Sequence, residues 1–503
     1  MTTTSIHDEE VPQVGANSAL TPILPGFHPD PTICKIGKDY FLSTSSFEYF
    51  PSSPLFHSTD LVTWNQAGHI LDRRTQFRLG DPLPSTGTYA GTLREHDGTS
   101  WYITTNVSDY SSGQVLVHST DPTGDWSDPV FIPEAIGIDP DLCWDDDGAC
   151  YLSWKAMNFT EGEIGILQSR VDTETGKLLD KPYAIWQGSG LGAVEAPHFY
   201  HIGDYWYLLL AEGGTERGHC VTAARSLHPA GPFEPCPSNP IFTHRSSIHE
   251  VQNVGHADLV QTPDGGWAAV YLGVRPKGST PGFHVLGRET FIAGIDWTDG
   301  WPVFVEDRFT IPTADTSFVD EFNETPLDAQ WVVPGGEAEN TVERATDGGI
   351  RLKPLADGSD SVLCFRVKDL SWVADASLVD AGSFVLRMDE RNAYGITVRG
   401  GEANAWAKIG GIHLDLGSSP VLATTTLRIE SIPSTSPNVP LGHGGPDEIV
   451  LSLVLNSEVH ELGRLDGRYL STEVASGFTG RMLGLQSTPD AGVVQSFRYL
   501  PQS

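Results

Sequence analysis

Short runs of aromatic and aliphatic residues recur along the N-terminal part of the chain, at intervals of roughly 50 to 60 residues. The clearest runs begin at Tyr40, Trp101, Tyr151, Trp206 and Trp267, and Asp-Gly or Gly-Asp turns punctuate the segments around them. Second runs lie between them, for example at 115–119 and 164–168, so each interval holds several strands. Five repeats of this kind predict a five-bladed β-propeller.

The remaining pattern predicts an all-β protein with a second domain. The chain contains 53 glycines and 35 prolines, and no long stretch has the i, i+3, i+4 apolar spacing of an amphipathic helix. We predict a flexible N-terminal segment at 1–18 and the propeller at 19–312. Beyond it, apolar and polar residues alternate cleanly, as at 383–387 and 449–453, which predicts a β-sandwich at 318–503.

The charge of the chain narrows the class of partner. Its 503 residues include 31 lysines and arginines against 65 aspartates and glutamates, which gives a formal net charge of -34 at pH 7. Nucleic acids and anionic membrane surfaces are polyanions, and a strongly acidic chain repels them. The charge argues against a nucleic-acid or membrane partner and favours a neutral substrate.

Three further features bear on location. Residues 1–17 are polar and acidic and lack the basic and apolar regions of a secretory signal. No apolar run in the sequence is long enough to span a bilayer. The six cysteines show no CxxC spacing of the kind used in zinc or redox sites. We therefore expect reduced thiols and a cytoplasmic protein.

Counting back about eleven residues from each aromatic run reaches an equivalent position in every repeat. These positions are Asp30, Tyr89 with its neighbour, Asp139, Glu195 and His256. The first strand of each blade lines the channel of a propeller, so the register predicts a ring of these side chains around one axis. Cleavage of an acetal needs one protonated and one ionised carboxyl group. The ring therefore indicates glycoside hydrolysis.

Two other interpretations of the same residues stay open on this pattern. Asp-Pro is a common turn pair, so Asp30 and Asp139 taken singly favour a structural role. Their shared register with Glu195 favours catalysis. A non-catalytic carbohydrate-binding protein would also use acids to bind sugar hydroxyls, and the predicted sandwich is compatible with it.

Several motifs closely resemble the β-xylosidase branch of glycoside hydrolase family 43. They lie at 22–31, 44–51, 57–64, 137–140 and 195–198. The resemblance covers almost the whole N-terminal segment and implies a five-bladed propeller with an inverting mechanism. It implies that Asp30 is the general base that activates water, that Glu195 is the general acid, and that Asp139 orients and tunes the acid.

The resemblance also suggests residues around the acids. Arg288 matches an arginine that contacts substrate hydroxyls, and Tyr89, Phe47 and His28 are the other candidate substrate contacts. His256 matches the axial histidine of the family, which in several members helps to hold a calcium ion. A hydrogen-bonded core histidine fits the sequence equally well. We expect no required cofactor, and we leave calcium near His256 as an open prediction.

The C-terminal segment resembles the concanavalin-like, jelly-roll sandwich of the same family through 318–322, Leu327 and Trp331. In relatives this sandwich lends a loop to the rim of the active site, and Phe478 is the candidate for that contact. The combined expectation is an inverting, exo-acting 1,4-β-xylosidase that releases terminal xylose from short xylo-oligosaccharides. The close alternative is an α-L-arabinofuranosidase, or a bifunctional enzyme, acting on oligosaccharides derived from arabinoxylan. The sequence leaves the oligomeric state open, including a homo-oligomer.

Overall fold

The structure is a computed structural model that describes residues 16–17, 20–77, 83–157, 165–336, 338–346, 348–355, 358–434, 443–490 and 492–502. The predicted flexible segment 1–18 lies outside these residues, apart from Ala16–Asn17, which pairs with Thr310–Ile311. Within the described ranges, helix is limited to four short turns at Tyr110–Ser112, Ala338–Thr341, Gly467–Leu470 and Thr472–Ala475. No helix in this part of the chain has the length and hydropathy needed to cross a membrane.

Five four-stranded antiparallel sheets follow one another along the chain, each built from consecutive strands, and we number them blades 1 to 5. From the first to the last strand they comprise Thr32–Ile36, Asp39–Ser43, Ser52–Ser58 and Asn65–Leu71; Thr92–His96, Thr99–Thr105, Gln114–Ser119 and Val130–Ile132; Gly137–Trp144, Cys150–Ala156, Ile166–Arg170 and Tyr183–Trp186; Glu195–Ile202, Tyr205–Glu212, Cys220–Ser226 and Glu234–Pro235; and Gln252–Gln261, Trp267–Val274, Glu289–Thr298 and Trp301–Val305.

The blades form a closed ring. The first strands of blades 1 to 4 pack against one another in order, and that of blade 5 packs against blades 4 and 1. Each neighbouring pair of blades shares its own buried apolar cluster. Because both faces of a blade are covered in this way, its strands bury aromatic and aliphatic residues, which explains the recurring runs in the sequence.

A buried polar network joins the blades near the axis. Asp258 of blade 5 accepts a 2.8 Å hydrogen bond from Thr32 of blade 1 and another from Tyr200 of blade 4. Arg94 of blade 2 forms ion pairs with Asp258 at 3.1 Å and with Asp141 of blade 3 at 3.0 Å. Burial raises the pKa of Asp258, but the charge of Arg94 and the surrounding donors lower it to about 2. This carboxylate therefore stays ionised and holds the ring together.

The C-terminal domain consists of two stacked antiparallel sheets. Along the eight-stranded sheet lie Val342–Arg344, Ile350–Leu352, Val493–Pro501, Trp372–Val379, Thr424–Pro433, Asp447–Leu455 and Glu458–Asp466, with Phe318–Asp320 paired to Val493–Pro501. Along the six-stranded sheet lie Val362–Arg366, Met482–Gln486, Gly382–Arg387, Ala393–Arg399, Glu402–Ile409 and Ile412–Pro420. Alternate residues of both sheets point inward and form the largest apolar cluster described.

Propeller and sandwich share buried residues. Val285 of the propeller belongs to the apolar cluster of the sandwich, and Phe47 packs in a cluster with Met482 of the six-stranded sheet. The short strands Tyr49–Phe50 and Val333–Pro334 also pair across the boundary. The architecture confirms the predicted all-β fold, a five-bladed β-propeller followed by a β-sandwich.

Candidate active site

The backbone breaks its regular pairing wherever a blade presents a residue of the predicted ring. The ladder between the first two strands is interrupted beside Asp139, Ala196 and His256. These residues and Asp30 all have left-handed backbone angles, with φ between 50° and 55°. At Asp30, Asp139 and Ala196 the next residue is proline, which has no N–H to continue a ladder. Bulges of this kind turn side chains out of the strand register.

These interruptions surround a pocket of about 230 Å³. The walls comprise the acids Asp30, Asp139 and Glu195, the predicted residues Phe47, Tyr89, His256 and Arg288, and Ala90, Ile138, Gly214, Thr215 and Phe478. At ~30 Å³ per water, the space holds ~8 waters, which is close to one sugar ring. The three predicted acids therefore meet in a space of monosaccharide size.

Asp30 is buried and held by two side-chain donors. Arg288 Nη1 donates to its Oδ1 at 2.6 Å, and Ser45 Oγ donates to its Oδ2 at 2.7 Å. Burial raises the pKa of Asp30, but the charges of Arg288 and His256 and the Ser45 hydrogen bond outweigh it and lower the pKa below its usual value. Asp30 is therefore a carboxylate at neutral pH.

Asp139 has the opposite electrostatic environment. Burial, then the negative charges of Glu195 and Asp30, raise the pKa of Asp139 well above its usual value. The backbone N–H of Ala196 donates to its Oδ2 at 3.2 Å. Asp139 is thus the acid of the pocket on which a proton is most strongly retained.

Glu195 faces the pocket with a side chain that is 16% exposed. Lys155 Nζ donates to its Oε2 at 2.8 Å. Lys155 lies on the second strand of blade 3, opposite Ile138, and its ammonium group forms an ion pair with Glu195 of blade 4. The pair stabilises the carboxylate that remains after Glu195 has given up a proton.

An aromatic wall closes one side of the pocket. The rings of Phe47 and Phe478 stack with centroids 5.8 Å apart, and Tyr89 packs edge-on against Phe47 at 5.0 Å. Phe478 comes from the sandwich, and its backbone N–H donates to Ser85 Oγ of the propeller at 2.9 Å. Tyr89 Oη donates to the carbonyl of the same serine at 3.0 Å. Ser85 therefore links the sandwich to the aromatic wall.

Arg288 lies where the acids meet the aromatic wall. Besides Asp30, its Nη1 donates to Thr215 Oγ1 at 3.1 Å. Its guanidinium lies 5.6 Å from the ring centroids of both Phe47 and Phe478. The guanidinium of Arg288 is thus held in place by the carboxylate of Asp30 and by these two aromatic rings.

His28 is the predicted substrate contact that the structure does not bring to this pocket. Its ring packs edge-on against Phe56 at 5.1 Å and lines a separate cavity between propeller and sandwich. The reason is the left-handed backbone of Asp30, which ends the alternation that would have placed both side chains on one face. His28 therefore lies outside the pocket of the three acids, and its role as a substrate contact stays a prediction.

His256 is buried beside the acids, with Nδ1 3.6 Å from Oδ1 of Asp30. Calcium takes six to eight oxygen ligands. Asp30 is already ion-paired, and the other buried carboxylates of the ring, Asp141 and Asp258, are held by Arg94. The described side chains do not supply an oxygen cage at His256, so calcium there stays a prediction and no step below depends on it.

A second cavity of about 740 Å³ opens beside the pocket. It shares Thr215, Arg288 and Phe478 with the pocket and is walled by both domains. His284 of the propeller donates its backbone N–H to Glu473 of the sandwich at 2.9 Å in this wall. The pocket therefore continues into a wider space that could hold the rest of an oligosaccharide.

The sequence interpretation missed Lys155 and Thr215. The register that the acidic turn at 145–148 sets would pair Lys155 with Asp139, and the bulge between Ile138 and Asp141 moves it opposite Ile138, so turn position indicated its neighbourhood to within one residue. Thr215 follows the second strand of blade 4, in a loop without regular pairing. Its approach to Arg288 depends on tertiary packing, which carries no local signal.

The fold and the site have clear relatives. The model of the family described as Glycosyl hydrolases family 43 matches residues 19–302. A xylosidase/arabinosidase of Butyrivibrio fibrisolvens is 35% identical over 93% of this chain and 96% of that protein. A non-reducing end alpha-L-arabinofuranosidase of Bacteroides ovatus is 33% identical over 93% of this chain and 90% of that protein.

The crystal structure of a xylan beta-1,4-xylosidase from Bacillus halodurans superposes with a TM-score of 0.84 at 28% identity, covering 96% of this chain and 99% of that one. Five blades, a sandwich and three converging acids thus accompany a match over most of the length, and the chain belongs to glycosyl hydrolases family 43.

Proposed function

We propose that the protein is an exo-acting 1,4-β-xylosidase that releases terminal xylose from short xylo-oligosaccharides with inversion. The observation that carries the proposal is a pocket of about 230 Å³ that contains three acids and is covered by Phe478 of the second domain. Family 43 enzymes invert the anomeric configuration. A pocket of one-sugar size that opens into a wider cavity favours cleavage at a chain end.

The charge states of the acids support a division of labour. Asp30, ionised and held by Arg288, is suited to take a proton from the attacking water. Glu195 reaches the pocket surface and is suited to protonate the leaving oxygen. As Glu195 becomes ionised, Lys155 stabilises the new charge. Asp139, whose pKa is raised by burial and by the negative charges of Glu195 and Asp30, is suited to stay protonated beside Glu195.

The test is to identify the first product. Proton NMR during hydrolysis of a nitrophenyl β-xyloside should show α-xylose appearing before mutarotation, because inversion at a β-linkage yields the α-anomer and this substrate releases no second sugar. Initial appearance of β-xylose from this substrate, or of xylobiose in place of xylose from xylotetraose, would contradict an inverting exo-xylosidase.

An α-L-arabinofuranosidase is the second candidate. The relative from Bacteroides ovatus supports it by its name, and the one from Butyrivibrio fibrisolvens is named for both activities. Rates on the nitrophenyl β-xyloside and the nitrophenyl α-L-arabinofuranoside separate the candidates. If the arabinofuranoside is hydrolysed much faster, the second candidate replaces the first.

Three further expectations stay predictions. All six cysteines are free and buried, which agrees with reduced thiols, and cell fractionation would test a cytoplasmic location. Reversible loss of activity on chelation would support calcium near His256, whereas unchanged activity would favour a structural histidine. Analytical ultracentrifugation would test a homo-oligomer.

A further inference from the structure

A cluster of two histidines and a glutamate lies in blade 5, among residues that do not line the pocket. His244 and His249 belong to the loop that leads from blade 4 into the first strand of blade 5. Glu306 directly follows Trp301–Val305, the last strand of blade 5. One ligand atom from each of the three residues lies within 4.8 Å of the other two. Three chemically matched groups from two separate segments therefore meet at one point.

The backbone fixes how the two imidazoles are turned. The carbonyl oxygen of Val251 lies 2.7 Å from Nδ1 of His244 and 3.1 Å from Nδ1 of His249. A carbonyl can only accept, so a ring that bonds it carries its proton on Nδ1 and leaves the Nε2 lone pair bare. The N–H of Val251 also lies 3.1 Å from Nδ1 of His249, so this ring has a choice of tautomer. A histidine that ligates a metal through one nitrogen usually donates the other N–H to a carbonyl in this way.

Nε2 of His244 is buried against the carboxylate of Glu306. The residue is 6% exposed, and its Nε2 has no hydrogen-bond partner in the described structure. Oε1 of Glu306 nevertheless lies 2.8 Å from this atom. A lone pair facing a carboxylate oxygen is unfavourable unless a proton or a metal cation lies with them.

We propose that His244, His249 and Glu306 bind a divalent transition metal ion, for which zinc is the probe. Two imidazole nitrogens and one carboxylate are a common zinc ligand set, whereas calcium and magnesium prefer oxygen alone. His249 and Glu306 are partly exposed, so water can complete a tetrahedral shell. With metal–ligand bonds of about 2.0 Å, tetrahedral ligand atoms lie about 3.3 Å apart, so the Glu306 side chain turns outward slightly on binding.

The bound ion would fasten the loop at 243–251 to the outer edge of blade 5. The loop runs directly into Gln252 and Asn253, which line the second cavity. The ion therefore acts on the stability of this blade and on the wall of the cavity, and it takes no part in the chemistry at the acids.

The experiment uses the full-length chain without a histidine tag, treated with chelator and then titrated with zinc. Calorimetry should show one zinc ion bound per chain, and thermal unfolding should show a Tm that rises with zinc concentration. The variants His249→Ala and Glu306→Gln should each lose this binding, with at least a ~100-fold rise in Kd, and should keep their metal-free kcat.

Two control variants locate the ion. His413 is an exposed histidine beside Asp415 in the sandwich, with Nε2 3.3 Å from the carboxylate, so His413→Ala should bind zinc as the wild type does. His256→Ala should also bind zinc as the wild type does. Zinc binding that survives His249→Ala and Glu306→Gln, that disappears in His256→Ala, or that is absent from the wild-type chain would overturn the proposal. In the last case His244 is a protonated partner of Glu306.

Discussion

Glu195 and Asp30 act on opposite sides of the bond that is cleaved, so their variants should respond differently to the leaving group. Glu195→Gln removes proton donation and should lower kcat on xylobiose by ~10²–10⁴. The dinitrophenolate of a dinitrophenyl β-xyloside leaves without protonation, so the loss of kcat on this substrate should be much smaller. Asp30→Asn removes activation of water and should lower both rates to a similar extent. Steady-state kinetics on the two substrates checks this, and equal losses in Glu195→Gln would contradict its role as the acid.

Asp139 is held in a state that costs the folded protein stability. Burial and the charges of Glu195 and Asp30 raise its pKa, so between the unfolded-state pKa of ~3.9 and the folded pKa the native chain binds the proton that the unfolded chain releases. The free energy of unfolding therefore falls with rising pH across this window, by about 1.4 kcal/mol per unit.

Asparagine at this position cannot ionise. Asp139→Asn should therefore unfold at a higher Tm than the wild type at pH 7 and at the same Tm below about pH 4. Its kcat should fall by at least ~10-fold, because the carboxyl group of Asp139 beside Glu195 is lost. Thermal scans at both pH values check the stability, and a lower Tm at pH 7 would show that burial of Asp139 is not the main influence on its pKa.

The three acids could be predicted because the repeat converts sequence distance into spatial position. Asp30, Asp139 and Glu195 share one register, and a propeller brings equivalent positions to one axis. Lys155 does not share this register, and although the turn at 145–148 indicates its position in blade 3, its contact with Glu195 crosses to the next blade. His28 lies apart from the other candidate contacts because alternation along a strand fails at a left-handed residue, and the sequence does not show that Asp30 has this backbone conformation.

At the scale of elements, the segment between Thr472–Ala475 and Met482–Gln486 brings the sandwich into the pocket. Phe478 is 38% exposed yet stacks on Phe47, so its ring shapes the pocket more than it supports the core. Phe478→Ala should raise KM by ~2–10-fold and leave Tm nearly unchanged, because one stacking contact is worth ~0.5–1.5 kcal/mol.

A matched control is Leu422→Ala, another exposed apolar residue of the sandwich, which should change neither KM nor Tm appreciably. Phe478→Tyr keeps the ring and should restore most of the affinity. Unchanged KM in Phe478→Ala would mean that the sandwich supports the pocket only indirectly. The sequence pointed to Phe478 by resemblance alone, since its contact with Ser85 joins residues 393 positions apart.

At the scale of the whole molecule, the two domains should unfold together. Phe47 and Val285 of the propeller are buried in clusters that contain sandwich residues, so removing the sandwich would expose a continuous apolar surface. We expect the full-length chain to show a single calorimetric transition. A chain cut to 19–312 should aggregate or lack a cooperative transition. A soluble, fully active propeller with the wild-type Tm would contradict this.

The junction at Asp258 has a consequence for mutational tolerance. One carboxylate accepts from blades 1 and 4 and pairs with the arginine of blade 2, so a substitution that removes its charge takes one of two carboxylates from the buried Arg94 and frees several donors at once. Even Asp258→Asn, which keeps the shape, loses the charge. It should lower the free energy of unfolding by ~3–5 kcal/mol and reduce Tm sharply. In a library that varies each position and selects for folded chains, position 258 should be among the most depleted, although it never touches the sugar. A glycosidase of this design would thus show its strictest requirement for one amino acid outside the pocket where its chemistry takes place.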